Sequence, residues 1–136
     1  MIFKYQVDAS APELAGKAST EFKSVLKQLG VNAKVIRKIS IAMYEGEINM
    51  VIHANGGEIT CTVDEQQIEV IMADSGPGIP DLDLAMTAGW STASQEAREL
   101  GFGAGMGMPN MKRFSDEMDV KTKVGVGTTL TLRFKL

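Results

Sequence analysis

Residues 101–108 read Gly-Phe-Gly-Ala-Gly-Met-Gly-Met, with glycine at every second position. Such a run leaves one side of the backbone bare, so N–H groups can come close to a ligand. Apolar residues fill the alternate positions, which separates it from a Gly/Ser linker. Pro109-Asn110-Met111-Lys112 follows and reads as a first helical turn. A glycine loop feeding a helix N-terminus suits an anion, phosphate above all. The run is not a P-loop, because no Gly-Lys-Ser/Thr closes it, and its G-x-G-x-G spacing is not the G-x-G-x-x-G of dinucleotide folds. Taken alone it also fits a tight turn against a sheet.

The rest of the chain alternates strand and helix patterns. Ile2 to Val7 alternates as a strand. Ser10-Ala11-Pro12-Glu13 has the form of a capping box, with Leu14, Ala18, Phe22, Val25 and Leu29 at helical spacing behind it and Gly30 as a stop. A second helix is expected from about Asn32 to His53, with Val35, Ile36, Ile39, Ala42, Met43 and Met50 as its apolar stripe. Glu58–Val63 and Gln67–Ala73 form an expected hairpin, and Met118–Lys123 with Thr128–Leu136 a second. Between them, Asp74–Gly78 reads as a tight turn and Asp81–Ala88 as a short helix. Residues 89–103 lack a period and read as a mobile loop, and Pro109–Phe114 starts a last helix. The order β-α-α-β-β-loop-α-β-β predicts an α+β fold, with helices on one face of a mixed, mostly antiparallel sheet. A length of 136 residues predicts one domain over 1–136.

Composition narrows the function. The net charge is −3, acids and bases are mixed along the chain, and no basic patch suggests nucleic acid. No apolar run reaches the ~20 residues of a membrane span, and the polar, alternating N-terminus is not a signal peptide. Cys61 stands alone, so no internal disulfide forms; this fits a reducing, cytoplasmic setting, with Cys61 as a small buried hydrophobe.

Three further motifs carry chemistry. Glu45, Asn49 and His53 recur every four residues and share a helix face. A carboxylate beside a carboxamide suits a Mg²⁺–phosphate site, the amide oxygen as ligand and the carboxylate as base. By itself the row also fits a solvated helix face, the commoner case. Asp74-Ser75-Gly76-Pro77-Gly78 follows an apolar strand; its carboxylate can read an exocyclic amine while the glycines admit a flat ring. Gly125-Val126-Gly127-Thr128-Thr129 leads into the last strand and alone is an ordinary hairpin. Gly46 and Glu47 are unusual inside a helix, and close approach of another segment would explain the glycine.

Together, E-x-x-x-N-x-x-x-H on a helix, D-x-G-x-G after a strand, G-x-G-x-G before a helix and G-T-T into a strand resemble the nucleotide-binding boxes of the GHKL superfamily of gyrase, heat-shock protein 90, histidine kinases and MutL. Within it, the chain looks like the small bacterial serine/threonine kinases of partner-switching pathways, which include anti-sigma factors and the stressosome switch kinase, and Asp74–Asp81, Ala88–Thr92, Gly101–Met108 and Asn110–Asp116 are most similar to the switch-kinase branch. The resemblance implies a two-layer sandwich of the Bergerat type that uses ATP and Mg²⁺ to phosphorylate a STAS-type antagonist, in the cytoplasm. A sigma factor or downstream phosphatase would be further partners, nucleic acid and membrane would not, and a homodimer is left open. The alternative it implies is an anti-sigma or switch module that acts by binding rather than transfer. A histidine kinase is disfavoured by the lack of phosphoacceptor and dimerisation helices, and a gyrase or MutL type by the lack of a following transducer domain.

The resemblance also implies roles. Glu45 would be the general base and Asn49 the Mg²⁺ ligand. Asp74 would bind the adenine amino group, with Gly76 and Gly78 beside the ring. Gly103, Gly105, Met106 and Gly107 would meet the phosphates, and Thr128 would support the adenine end through water. Residues 89–103 would be the lid, and His53 a packing residue. Anti-sigma kinases place an arginine where Gly103 stands; Arg98, inside a longer lid, is the candidate replacement.

Overall fold

The computed structural model describes residues 1–79, 86 and 107–136. Five strands, β1 (Ile2–Val7), β2 (Gly57–Val63), β3 (Gln67–Asp74), β4 (Glu117–Lys123) and β5 (Gly127–Lys135), form one sheet in the order β1-β2-β3-β5-β4. Every described pairing is antiparallel, which sharpens the expected mixed sheet. Helices α1 (Lys17–Gln28), α2 (Ala33–Ile52) and α3 (Gly107–Phe114) lie over it, in the α+β arrangement that the sequence predicts. The expected helix at Asp81–Ala88 and the loop 89–103 lie outside the described residues, Met86 apart.

Strand alternation sorts the side chains. Ile59 and Cys61 of β2, Ile68, Val70 and Met72 of β3, and Leu130, Leu132 and Phe134 of β5 are buried towards the helices. Register brings Ile59 against Met72, Met72 against Leu130, and Val70 against Leu132, so three strands present one apolar surface. Phe22 and Leu26 of α1, with Ile36, Ile39, Ala42, Met43 and Met50 of α2, close over it. On the opposite face the register aligns Glu69, Arg133 and Glu117, and Arg133 bonds Glu69 at 3.0 Å and Glu117 at 3.4 Å.

One expectation needs correction. The first helix does not start at a Ser10 capping box: the Ser10 N–H and hydroxyl both donate to Asp8 Oδ1 instead. Pro12–Leu14 make a single 3-10 turn, the chain reverses at Gly16 (φ 99°), and α1 begins at Lys17. The buried stripe of α1 is therefore Ala18, Ser19, Phe22 and Leu26, while Leu14 and Leu29 are exposed.

A buried acid supplies the missing cap. Glu47 of α2 is buried, and its carboxylate accepts from Gly16 N (2.9 Å), Ala18 N (3.2 Å), Ser19 N (3.0 Å) and Ser19 Oγ (2.7 Å). The free N–H groups of a helix start attract a carboxylate. Here it comes from another helix, which no local motif could announce. The adjacent Gly46 meets the expectation of close approach: a Cβ there would overlap the Met72 sulfur and lie 3.2 Å from Met111 Sδ.

Candidate functional site

Helix α2 runs for 20 residues because Asn32 caps its start, accepting from Lys34 N at 2.8 Å, and no Gly-Pro signal interrupts it before His53. Gly46 and the buried apolar residues fix its rotation against β3 and α3. That rotation turns the half-buried Glu45 and Asn49 towards α3. Asn110 Nδ2 donates to Glu45 Oε1 at 3.2 Å. One turn along, the Asn49 carboxamide abuts Gly107: a Cβ there would lie 3.0 Å from Nδ2 and 3.1 Å from Oδ1. The last glycine of the glycine run is thus where the two helices close on Asn49.

Asp74 and Thr128 end the inward-facing rows of β3 and β5 and are direct register partners. Where the hydrophobic rows stop, the sheet places a carboxylate and a hydroxyl. Asp74 Oδ1 accepts from Gly76 N (2.9 Å) and Thr128 N (3.2 Å). Among the described residues none donates to Oδ2, so that oxygen can still accept from a ligand. Gly76 lets the turn close on the end of α2, since a Cβ there would lie 2.7 Å from the Ala54 Cβ. Gly78 has φ 80° and packs under β4, where a Cβ would come 2.5 Å from the Lys123 carbonyl oxygen.

A polar relay that sequence reading missed ties this corner together. Thr122 Oγ1 accepts from Ile79 N at 2.8 Å and lies 2.8 Å from Thr128 Oγ1. Gly125 N donates to the Pro77 carbonyl at 2.9 Å. The β4–β5 turn therefore braces the Asp74–Ile79 turn at two points. Thr122 occupies an ordinary strand position, and only its register with Thr128 marks it out.

His53 closes α2, its backbone N–H donating to Asn49 O at 2.9 Å, and burial pushes its imidazole below the ordinary value of 6.5. Burial also pushes the Cys61 thiol up to about 12, so it behaves as a core hydrophobe. Of the expected site residues, Glu45, Asn49, Asp74, Gly76, Gly78, Gly107 and Thr128 are described, and they gather at the α2–α3 seam and the adjoining sheet end. Gly103, Gly105, Met106 and the candidate Arg98 lie outside the described residues.

Residues 9–134 match the histidine kinase-like ATPase domain. The chain is 30% identical to the serine/threonine-protein kinase RsbT of Bacillus subtilis (strain 168), over 79% of this chain and 78% of that one. It is also 30% identical to an anti-sigma F factor of Clostridium novyi (strain NT), over 82% of this chain and 78% of that one. Among solved structures, the RsbU and RsbW domains of a Mycobacterium tuberculosis protein match with TM-score 0.62 and 16% identity, over 100% of this chain and 32% of that one. The mycobacterial sensor histidine kinase MprB matches with TM-score 0.57 and 14% identity, over 99% and 97%. The two solved structures speak for the fold alone. Among the described residues, no helix is long and apolar enough to cross a membrane.

Proposed function

The chain belongs to the histidine kinase-like ATPase domain family, and on that premise we propose that it is an ATP-dependent serine/threonine kinase of a partner-switching pathway, acting on a STAS-type antagonist. One observation carries the reading: Glu45 and Asn49, one turn apart on α2, both meet the first turn of α3. A base and a neutral oxygen ligand thus stand together beside a helix N-terminus, the combination that phosphoryl transfer uses.

The donor set suits the nucleotide and its metal. Asp74 Oδ2 is the acceptor for the adenine amino group, and Gly76 and Gly78, packed against Ala54 and Lys123, hold the turn that lies beside the ring by family resemblance. Asn49 Oδ1 is the protein ligand for Mg²⁺, an ion that takes few protein ligands and keeps its waters. Bound there, Mg²⁺ would neutralise phosphate charge. Gly107 and the α3 N-terminus face the phosphates, together with Gly103, Gly105 and Met106 by family resemblance. Thr128 supports the adenine end.

Glu45 takes the proton of the attacking hydroxyl. Asn110 holds Oε1, which orients the carboxylate and leaves Oε2 for the acceptor. Positioning and charge neutralisation do the remainder, because the transferring phosphoryl group needs little covalent help. The relative named a serine/threonine kinase favours this reading.

The relatives named anti-sigma F factor favour a second reading, in which ATP sets the conformation of a binding module for a sigma factor. The deciding assay follows labelled phosphate from ATP to a STAS-type antagonist. Wild type should transfer it, and Glu45→Ala should lose at least 100-fold in kcat, as expected for removal of a general base, while ATP affinity stays within twofold. No transfer by wild type, with antagonist binding intact in both proteins, would favour the binding module and overturn the kinase.

A further inference from the structure

The mixed distribution of charge read from composition fails in one place. Residues 22–44 hold Lys23, Lys27, Lys34, Arg37 and Lys38 and not one Asp or Glu. The chain as a whole carries −3, so the remainder is more acidic still. The fold gathers these five cations, because α1 and α2 pack together and residues 29–32 join them. Lys23 and Lys27 lie on the second half of α1, and Lys34, Arg37 and Lys38 on the first two turns of α2. All five are exposed, and none has an ion-pair partner among the described residues.

Helix stability does not explain them. The first turn of α2 contains no acid, and cations there oppose the macrodipole, whose positive end lies at the N-terminus. Apolar groups border the charges: Leu29 at the tip is 41% exposed, and Tyr44, further along α2 beside Gly16, is 40% exposed. Arg37, Ile41 and Glu45 are spaced by four residues, so one face of α2 runs from the cations to the carboxylate that meets Asn110. From Lys34 to Glu45 is about 16 Å along the helix at 1.5 Å per residue. A protein covering a standard ~800 Å² patch reaches both ends of that path.

We infer that the cationic end of the α1–α2 pair is a docking face for an acidic surface on the protein that carries the acceptor hydroxyl. The inference rests on the assignment of Glu45 to the transfer site. Complementary charge steers encounter and sets register. It would seat the partner with its hydroxyl-bearing segment along α2 towards Glu45, and Leu29 and Tyr44 would supply the apolar contacts. A net-acidic body behind the face repels nucleic acid and other polyanions that extend past it.

The test uses the full chain, a STAS-type antagonist as probe and a non-hydrolysable ATP analogue with Mg²⁺. Binding is followed by calorimetry at 50 mM and 300 mM salt. The variant Lys34→Glu/Arg37→Glu/Lys38→Glu should bind at least tenfold more weakly at low salt and lose most of the salt dependence. A control with the same charge change on the sheet, Lys4→Glu/Lys121→Glu/Lys135→Glu, should stay within threefold. Nucleotide affinity should be unchanged in both, which shows that both are folded. Equal weakening in the two variants, or no binding by wild type, overturns the inference. So does tighter binding of a 20-base-pair duplex DNA that the α2 variant abolishes, which would give the face to nucleic acid. Wild type that binds through this face yet transfers no phosphate would sink the kinase reading and leave the docking face standing.

Discussion

Glu45, Gly46 and Glu47 are consecutive, yet each meets a different part of the molecule. Glu45 faces Asn110, Gly46 lies against Met72, and Glu47 reaches the start of α1. The sequence shows two acids flanking a glycine in a helix and gives no local sign that one is a candidate base and the other a cap. The difference is rotation, since residues two apart on a helix point to nearly opposite sides. Glu47 takes four hydrogen bonds while buried. Replacing it with alanine strands three backbone N–H groups and a hydroxyl. Glu47→Ala should cost about 2–4 kcal/mol in urea unfolding, the range for a lost cap plus buried unsatisfied donors. Glu47→Gln, which keeps acceptor oxygen, should cost less than half of that. No loss for Glu47→Ala would mean that the carboxylate cap contributes nothing to stability.

Elements defined by a repeating pattern were legible. α2 runs from Ala33 to Ile52 against an expectation of about Asn32 to His53, because its cap and its 3.6-residue period are both local. The two hairpins fall within a residue of expectation for the same reason. The start of α1 was not legible, because its cap is 31 residues away from Gly16. Nor was the Thr122 relay, which depends on strand register. That relay yields a prediction. Thr122→Val keeps the strand's β-branched shape but removes the acceptor for Ile79 N and the partner of the Thr128 hydroxyl. It should raise the KM for ATP about five- to twentyfold, the equivalent of one or two net hydrogen bonds, and leave kcat within twofold. Thr122→Ser should restore the wild-type KM. A fall in kcat alone, or no rescue by serine, would show that the relay does not position the nucleotide corner.

For the whole molecule, burial of His53 and Cys61 contributes to the pH dependence of stability. The His53 pKa is lowered by burial, so the unfolded chain binds its proton more readily. Stability is then present above the ordinary value of 6.5 and is lost as pH falls through and below it. The Cys61 thiol is raised to about 12, so the unfolded thiol ionises first; stability is full below 9.0 and declines from there towards 12. Urea midpoints measured between pH 5 and 10.5 should be highest on the plateau between these limits. His53→Gln should flatten the acid side alone, and an unchanged acid slope would assign that loss to other groups. Charge segregation belongs to this scale too. Composition averages it away, and it emerges only when the helical pair brings residues 22–44 to one end.

In the proposed function, the α2–α3 seam and the end of the sheet make one Mg–ATP site, although the residues concerned lie on separate segments of the chain. Calorimetric titration with Mg–ATP tests it most directly, on wild type, Asp74→Asn and Asn49→Asp. Neither substitution alters side-chain size appreciably. Asp74→Asn puts an amide donor where the adenine amino group needs an acceptor, and Asn49→Asp changes the charge beside the metal and phosphates. Wild type should bind, and each substitution should lower affinity at least 30-fold, with the thermal midpoint of the nucleotide-free protein nearly unchanged. Wild-type affinity in both variants would contradict this assignment of the site.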